Sequence, residues 1–290
     1  MSGAIKNYRE EITEQIIKAM ESGTAPWQKP WDGRACPCNA TSKRQYTGIN
    51  TVVLTMRGIE IDGGHDPRWA TFLQASNNGW KIKKGSKGTR VILWKPIEDE
   101  ESKEEKPRII QRIFTVFHAT QIEGISAYEP PVMNEMKICE KAEQIITGSG
   151  AEIHYGGDRA CYYPEKDIIE IPEREGFYST AGYYSTLLHE LVHWTGHSSR
   201  MKREMSAYKH SEKYAREELV AEIGSMFISA ATGIPQCKDD FDNNMSYINS
   251  WLRGIDDKAT AIFKAVAEAN KAADFLLKRG NVSVQPDIAA

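Results

Sequence analysis

The sequence L-L-H-E-L-V-H-W-T-G, residues 187–196, contains the pattern H-E-x-x-H in a segment whose apolar residues predict a buried helix. An α-helix has 3.6 residues per turn, so His189 and His193 lie on one face, one turn apart. Two imidazoles in this arrangement can bind one divalent metal, and Glu190 lies beside them as a general base toward water. The alternative is an ordinary buried helix whose histidines are satisfied by hydrogen bonds.

A metal site of this kind needs a third protein ligand. In the pattern H-E-x-x-H-x-x-G-x-x-H that ligand would be residue 199, but Ser199 stands there and His197 comes two residues too early. The other possibility is a glutamate on a following helix. Residues 214–223 predict such a helix, and Glu218 and Glu222 lie one turn apart on it. Capping residues predict the ends of both helices: Ser179 or Thr180 and Gly196 for the first, Ser211 and Gly233 for the second.

The spacing of these two acids resembles that of the gluzincin metallopeptidases, in which the first acid binds the metal and the second orients a ligand histidine. By that resemblance Glu218 is the third ligand and Glu222 hydrogen-bonds to a histidine. Glu217 points about 100° away around the helix, so we expect it to be solvated. The alternative for Glu218 and Glu222 is a solvated helix face, because paired glutamates are common on helices.

Length and composition indicate a protein of one or two domains with an ordinary core. The chain has 290 residues, of which 40% are hydrophobic and 27% charged. No apolar run approaches the roughly 20 residues that a membrane helix needs, and residues 1–8 lack the apolar core of a secretory signal. The five cysteines are scattered and include Cys36 and Cys38 in a C-P-C loop, where we expect free thiols. These features predict a cytoplasmic protein.

Basic and aromatic residues alternate in the first half of the chain. Up to residue 129 there are 19 Lys and Arg against 16 Asp and Glu, whereas beyond it there are 18 against 24. Residues 80–95 contain six basic residues and no acid, and they predict a β-hairpin or a loop leading into a strand. Cations along phosphates and rings stacked on bases are how proteins hold single-stranded DNA. The candidate DNA contacts are Trp27, Trp31, Lys43, Arg44, Tyr46, Trp69, Lys81, Lys83, Lys84, Lys87 and Arg90.

Each of these contacts has an ordinary alternative. A tryptophan is more often part of a core than a stacking surface, and a basic run is usually a solvated loop. Composition by itself therefore leaves DNA binding open.

The order of predicted elements indicates an α+β protein of two domains. Residues 1–127 form the first, with a helix over 7–22 and a strand over 109–117; residues 128–134, which include Pro130-Pro131, form a linker. Residues 135–290 form the second. Its predicted elements are a helix over 135–147, a small antiparallel sheet of strands 151–155, 160–163 and 167–171, the H-E-x-x-H helix, the glutamate helix and a helical tail over 241–277.

Several stretches of the first half resemble the N-terminal DNA-binding domain of ArdC-type antirestriction proteins, which also stands at the front of conjugative primases. They are P-W-x-K-P-W (26–31), Y-T-G-I-N (46–50), W-A-T-F-x-Q-A (69–75), K-G-S-K-G (84–88) and V-F-x-A-x-Q-I (116–122). The H-E-x-x-H and glutamate segments resemble that family's zincin-like metallopeptidase domain. One departure is His118, where the pattern has Asn.

The resemblance implies a plasmid-encoded antirestriction protein that binds single-stranded DNA and protects incoming conjugative DNA from host restriction. It also implies one divalent metal, for which we expect zinc, and a metallopeptidase whose protein substrate would be a host restriction component or another protein. Two alternatives stay open. One is a zinc peptidase whose first domain only recruits substrate, and the other is a DNA-binding protein with a purely structural metal.

Overall fold

The computed structural model describes residues 3–23, 25, 36–62, 64–97, 108–130, 135–206, 211–235 and 241–282. Within them the chain divides into two compact units. The first unit contains residues 3–12 and 36–130, and the second contains residues 13–25 and 135–282. The division after Pro130 falls inside the segment predicted as a linker, and the domain limits at 127 and 135 stay predictions. None of the described helices combines the length and the apolar composition that a membrane-spanning segment requires.

The first unit combines three helices with two small sheets. Its elements are α1 (Gly3–Glu21, shared with the second unit), β1 (Cys38–Asn39), α2 (Ile49–Asp62), β2 (Arg68–Thr71), α3 (Phe72–Asn77), β3 (Lys81–Ile82), β4 (Thr89–Ile97), β5 (Arg108–His118) and β6 (Ile122–Glu123). The larger sheet has the order β1-β2-β5-β4, and β3 pairs with β6 in the smaller one. The predicted helix over 7–22 and strand over 109–117 are confirmed.

The basic stretch 80–95 is a loop leading into a strand and not a hairpin. Its first residues, in β3, pair with β6, while β4 pairs antiparallel with β5. The core beneath the larger sheet consists of side chains from four elements and one loop: Tyr46, Leu54, Trp69, Val91 and Val116.

His118 ends β5 and is completely buried. Its Nδ1 lies 2.9 Å from Thr120 Oγ1 and its Nε2 lies 2.6 Å from the carbonyl oxygen of Asp66. The imidazole also packs edge-on against Trp69, with ring centroids 4.8 Å apart. The departure from the family pattern at this position therefore places a histidine with both nitrogens engaged in the core of the first unit.

The second unit places a three-stranded sheet beside a group of helices. Its elements are α4 (Glu135–Ser149), β7 (Glu152–Tyr155), β8 (Cys161–Tyr163), β9 (Ile168–Ile171), α5 (Thr180–Thr195), α6 (Glu212–Thr232), α7 (Phe241–Gly254) and α8 (Lys258–Arg279). The three predicted strands are confirmed, but the sheet is mixed and not antiparallel. After the tight turn from β8, β9 inserts between β8 and β7 and so runs parallel to β7.

The tail predicted to be helical over 241–277 consists of two helices, α7 and α8. It breaks between Gly254 and Lys258, where the Asp257 side chain accepts a hydrogen bond from the N–H of Thr260 and starts α8. An N-cap of this kind satisfies backbone N–H groups that lack partners in the first turn, so it begins a new helix.

Helices α5 and α6 pack closely because one helix has a glycine at the contact. A Cβ atom added at Gly224 would lie 2.8 Å from Val192 Cγ1, which is closer than carbon atoms approach. The predicted caps Ser179 and Ser211 accept hydrogen bonds at the starts of the two helices. Gly233 ends α6 at φ +82°, a conformation that favours glycine. These helices carry the candidate metal ligands.

Candidate metal site

Three side chains from α5 and α6 converge on one point. The Nε2 atoms of His189 and His193 lie 3.1 Å apart. The Glu218 carboxylate lies 3.5 Å from Nε2 of His189 and 3.7 Å from Nε2 of His193. In the described part of the chain, this is the group of His, Cys, Asp and Glu side chains whose ligand atoms all lie within 4.8 Å of one another.

These separations fit a tetrahedral ion. With metal–ligand bonds of about 2.0–2.1 Å, neighbouring ligands in a tetrahedron lie about 3.3 Å apart. Two imidazole nitrogens and a carboxylate at 3.1–3.7 Å therefore need little movement to bind one cation. The arrangement suits a divalent metal and leaves a fourth position for another ligand.

Two further glutamates on α6 stand behind the histidines. Glu222 lies 4.0 Å from Nδ1 of His189, which is close to this ring but beyond hydrogen-bond distance. Glu217 Oε1 lies 3.2 Å from Nδ1 of His193, and Glu217 is buried, with 6% of its surface exposed. The prediction that Glu217 is solvated is wrong, because the helix is buried around most of its circumference. Each ring nitrogen that faces away from the metal position thus has a carboxylate nearby.

Arg203 holds Glu217 in place. Its Nε and Nη2 donate to the two carboxylate oxygens of Glu217 at 2.9 and 2.6 Å. The guanidinium also donates to Thr195 Oγ1 at 2.8 Å and to the carbonyl oxygen of Val192 at 2.7 Å. Only 4% of the Arg203 side chain is exposed, so this is a buried ion pair with its donors satisfied. It fixes the carboxylate that orients His193.

Glu190 follows His189 on α5 and hydrogen-bonds to the edge strand of the sheet. Its Oε2 accepts a hydrogen bond of 2.8 Å from the backbone N–H of Tyr162, in β8. Asp167 lies in the turn after β8, and Arg200 lies in the segment after α5. Both Nη atoms of Arg200 donate to the Asp167 carboxylate, Nη1 at 2.9 Å, so these two segments are held together. The edge strand is thereby held beside the general-base candidate.

A hydrolytic site also needs a hydrogen-bond donor that stabilises an oxyanion, and a phenol or an imidazole such as Tyr214 or His197 can supply it. In the structure Nδ1 of His197 lies 2.8 Å from Ser199 Oγ and 3.6 Å from Asp167. The Tyr214 phenol instead interacts with Glu218, and burial together with that carboxylate raises the pKa of Tyr214 above its ordinary value. Tyr214 therefore stays protonated and lies next to the candidate ligand Glu218. It is better placed than His197 to donate a hydrogen bond to an oxyanion.

The metal-free histidines bind protons more tightly than usual. Burial lowers the pKa of His193, but the opposing effects of Glu218 and Glu217 are larger and place it well above the ordinary value. The pKa of His189 is raised in the same way, with Glu218 and Glu222 outweighing burial. Metal binding must therefore displace protons.

We expect the stabilisation by metal to grow as the pH rises from about 6 to about 8. Because the folded-state pKa values are raised, the protonated histidines stabilise the metal-free protein below their unfolded pKa of about 6.5, and this contribution is lost as the pH rises through the folded values. The difference in melting temperature with and without metal measures the effect. A difference independent of pH would contradict the ligand assignment.

The candidate DNA contacts divide into buried and exposed groups. Tyr46 and Trp69 expose only 7% and 1% of their surface, so the prediction that their rings stack on bases is wrong. Both lie in the core beneath the sheet, where their apolar area stabilises the fold.

Arg90 forms an ion pair with Glu11. The exposed candidates are Lys43, Lys81, Lys83, Lys84 and Lys87, Arg44 is half-buried, and Trp27 and Trp31 lie outside the described residues.

The C-P-C loop is not a metal site among the described residues. Cys36 and Cys38 form no disulfide and belong to no cluster of metal-binding side chains there. Burial, with a smaller effect of Cys38, raises the pKa of Cys36 to about 12, so this thiol stays protonated.

Sequence reasoning missed Glu217 and Arg203. Arg203 follows the H-E-x-x-H helix by a short loop, and no periodic pattern marks it. For Glu217 the sequence offers one signal, a carboxylate next to the candidate ligand Glu218, but helical spacing alone places it on a different face.

Two family models match the chain. Residues 6–117 match the N-terminal domain of anti-restriction factor ArdC. Residues 140–268 match a zincin-like metallopeptidase family. The three converging ligands and Glu190 all lie within the second match.

Whole-chain relatives combine both parts. A crystal structure of the antirestriction ArdC protein from plasmid R388, in a metal-free form, is 36% identical, with a TM-score of 0.74, and the match covers 94% of this chain and 97% of that one. A Mn(II)-bound structure of the same protein is 35% identical, with the same TM-score and coverage.

Two sequence relatives extend the comparison. A DNA primase TraC from Escherichia coli is 37% identical over 97% of this chain, which spans only 20% of that primase. The uncharacterized protein y4eC of Sinorhizobium fredii is 32% identical, over 92% of this chain and 90% of its own length.

Proposed function

Because this chain belongs to the ArdC family of antirestriction proteins, we propose that it protects incoming plasmid DNA from host restriction during conjugation. In this proposal the first unit binds single-stranded DNA, and the second unit is a metal-dependent peptidase that acts on a host protein in the cytoplasm. A component of the restriction machinery is the substrate class that joins the two activities.

The observation that carries the peptidase proposal is the convergence of two histidines and Glu218 on one point, with Glu190 beside them. Two imidazoles, one carboxylate and an open fourth position are the ligand set of catalytic zinc. We propose zinc because nitrogen and oxygen ligands at these distances bind Zn²⁺ more tightly than Mn²⁺. The Mn(II)-bound relative supports a divalent ion in this fold.

The chain supplies the remaining groups of a hydrolytic site. When bound, the metal would act as a Lewis acid on a peptide carbonyl and on water. Glu190, oriented by the N–H of Tyr162, accepts a proton from the attacking water and passes it to the leaving amine. Tyr214, kept protonated by its raised pKa, can donate a hydrogen bond to the developing oxyanion.

The rival proposal of a purely structural metal predicts four protein ligands. In the described residues the cluster contains three, so the rival lacks its fourth ligand there. A purely structural metal also gives no reason for Glu190 to be held beside the metal position by the backbone of the edge strand.

Transfer of an unmodified plasmid into a restricting host tests the proposal. Two variants are compared with the wild type. Glu190→Gln removes the general base but no metal ligand, and a triple variant has Lys83, Lys84 and Lys87 changed to Ala. We expect both variants to lower the transfer frequency while keeping their metal. If Glu190→Gln protects as well as the wild type, the peptidase is not needed for protection, and if the lysine variant does so, DNA binding by this loop is not needed.

A further inference from the structure

Helix α3 leaves its two largest side chains in solvent. Phe72 and Leu73, its first two residues, are 67% and 68% exposed. The helix packs through Ala75, which is buried with Ala70 and Ile122 in the core behind it. The fold therefore makes little use of the apolar area of Phe72 and Leu73, and two adjacent exposed residues of this size suggest a binding surface.

The position of this apolar pair is fixed by hydrogen bonds. Thr71 caps α3, since its hydroxyl accepts from the N–H of Gln74 at 3.2 Å and its own N–H donates to Gln74 Oε1 at 2.9 Å. The same Oε1 accepts a hydrogen bond of 3.2 Å from Asn39 Nδ2. The backbone that carries Phe72 and Leu73 is thus held in place by a capping box, so its ordering costs little when a ligand binds.

Two basic loops adjoin α3. The first follows Asn39, whose side chain bonds to Gln74 of α3; Asn39 Oδ1 orders this loop by accepting from two backbone N–H groups at 2.9 and 3.0 Å, and the loop carries the exposed Lys43. The second is the lysine loop 81–87, into which α3 leads through Trp80, whose N–H donates to the carbonyl oxygen of Ala75 at 2.8 Å. Residues 67–97 contain no Asp or Glu, so the strand, the helix and the lysine loop of this stretch carry no negatively charged side chain.

We propose that Phe72 and Leu73 form the surface against which the bases of single-stranded DNA pack, with the phosphates held by the flanking lysines. This rests on the DNA-binding part of the proposed function and names where the bases bind. An apolar surface next to cations matches a strand whose base faces are apolar and whose backbone is anionic. Phe72 thereby takes the stacking role that the buried Trp69 and Tyr46 cannot fill.

Fluorescence anisotropy of the full-length protein with a labelled oligothymidylate tests this surface. Stacking on an aromatic ring changes affinity by about tenfold per base, so Phe72→Ala should weaken binding about tenfold, and Phe72→Trp should retain it. The salt dependence should stay unchanged, because no cation is removed. Tyr178→Ala, which removes a ring that is 97% exposed in the second unit, is the matched control and should leave affinity unchanged.

The outcomes separate this inference from the proposed function. Binding by the wild type with no loss in Phe72→Ala would overturn the stacking surface and leave the proposed function standing. No binding by the wild type would overturn both. If Phe72→Ala instead dissociated a dimer in sedimentation velocity and kept its DNA affinity, the patch would be an interface between two copies of the chain, and the inference would be wrong.

Discussion

Replacing His189 and His193 together with alanine should reduce the metal content from about one ion per chain to none. Both Nε2 atoms face the same point as the Glu218 carboxylate, so Glu218→Ala should also lose the metal. Equilibrium dialysis followed by elemental analysis measures the content. Full metal content in the double variant would remove the site proposed for α5 and α6.

The glutamates behind the histidines should have smaller effects. Glu222→Ala and Glu217→Gln each remove a carboxylate that lies beside one of the two histidines. Losses of this kind lower metal affinity by about 10–100-fold. His154→Ala is the matched control, because this histidine also lies 2.8 Å from a glutamate, Glu152, but both are exposed. Loss of metal in Glu222→Ala together with retention in Glu218→Ala would reverse the assignment of the two acids.

Arg203→Ala should destabilise the metal-free protein by about 3–5 kcal/mol, the cost of leaving one partner of a buried ion pair without the other. The variant leaves Glu217 buried beside His193 without its guanidinium partner. Burial by itself raises the pKa of Glu217, and Arg203 is the largest of the groups that bring it below its ordinary value. Denaturant unfolding in the presence of a chelator measures the loss.

The chain offers a matched control for this prediction. Arg216 and Glu268 form another Arg–Glu pair in the second unit, but 22% of each side chain is exposed. Because solvent screens such a pair, Arg216→Ala should cost about 1 kcal/mol or less. The double variant Arg203→Met with Glu217→Gln removes both buried charges and should recover much of the stability. Equal losses for Arg203→Ala and Arg216→Ala would contradict the role given to Arg203.

Local patterns explain why the two helices of the candidate metal site could be predicted. The one-turn spacing of His189 and His193 places them on one face in any α-helix, whatever surrounds it. The caps Ser179 and Ser211 act on N–H groups within three residues, so their effect is also local. The strands of the second unit were found because β-branched and aromatic residues and turn residues alternate along a short stretch.

The assignments that failed all depended on which faces of an element are covered. Glu217 was expected in solvent, but α6 is enclosed by other helices, so a residue about 100° from Glu218 is still buried and needs Arg203 as a partner. The parallel pairing of β7 and β9 could not be predicted, because it depends on where β9 inserts after the turn.

Among the aromatic residues of the first unit, the sequence by itself identified rings between cations but not which of them face solvent. A tryptophan and a phenylalanine three residues apart have similar local patterns, yet Trp69 lies in a strand beneath which the core packs, and Phe72 starts a helix that packs through Ala75. The sequence determined the helices, their caps and the two histidines of the candidate metal site, because those follow from spacing along one chain. Only the tertiary structure decided which charges are buried in pairs and which rings remain exposed, because burial depends on contacts between residues distant in sequence.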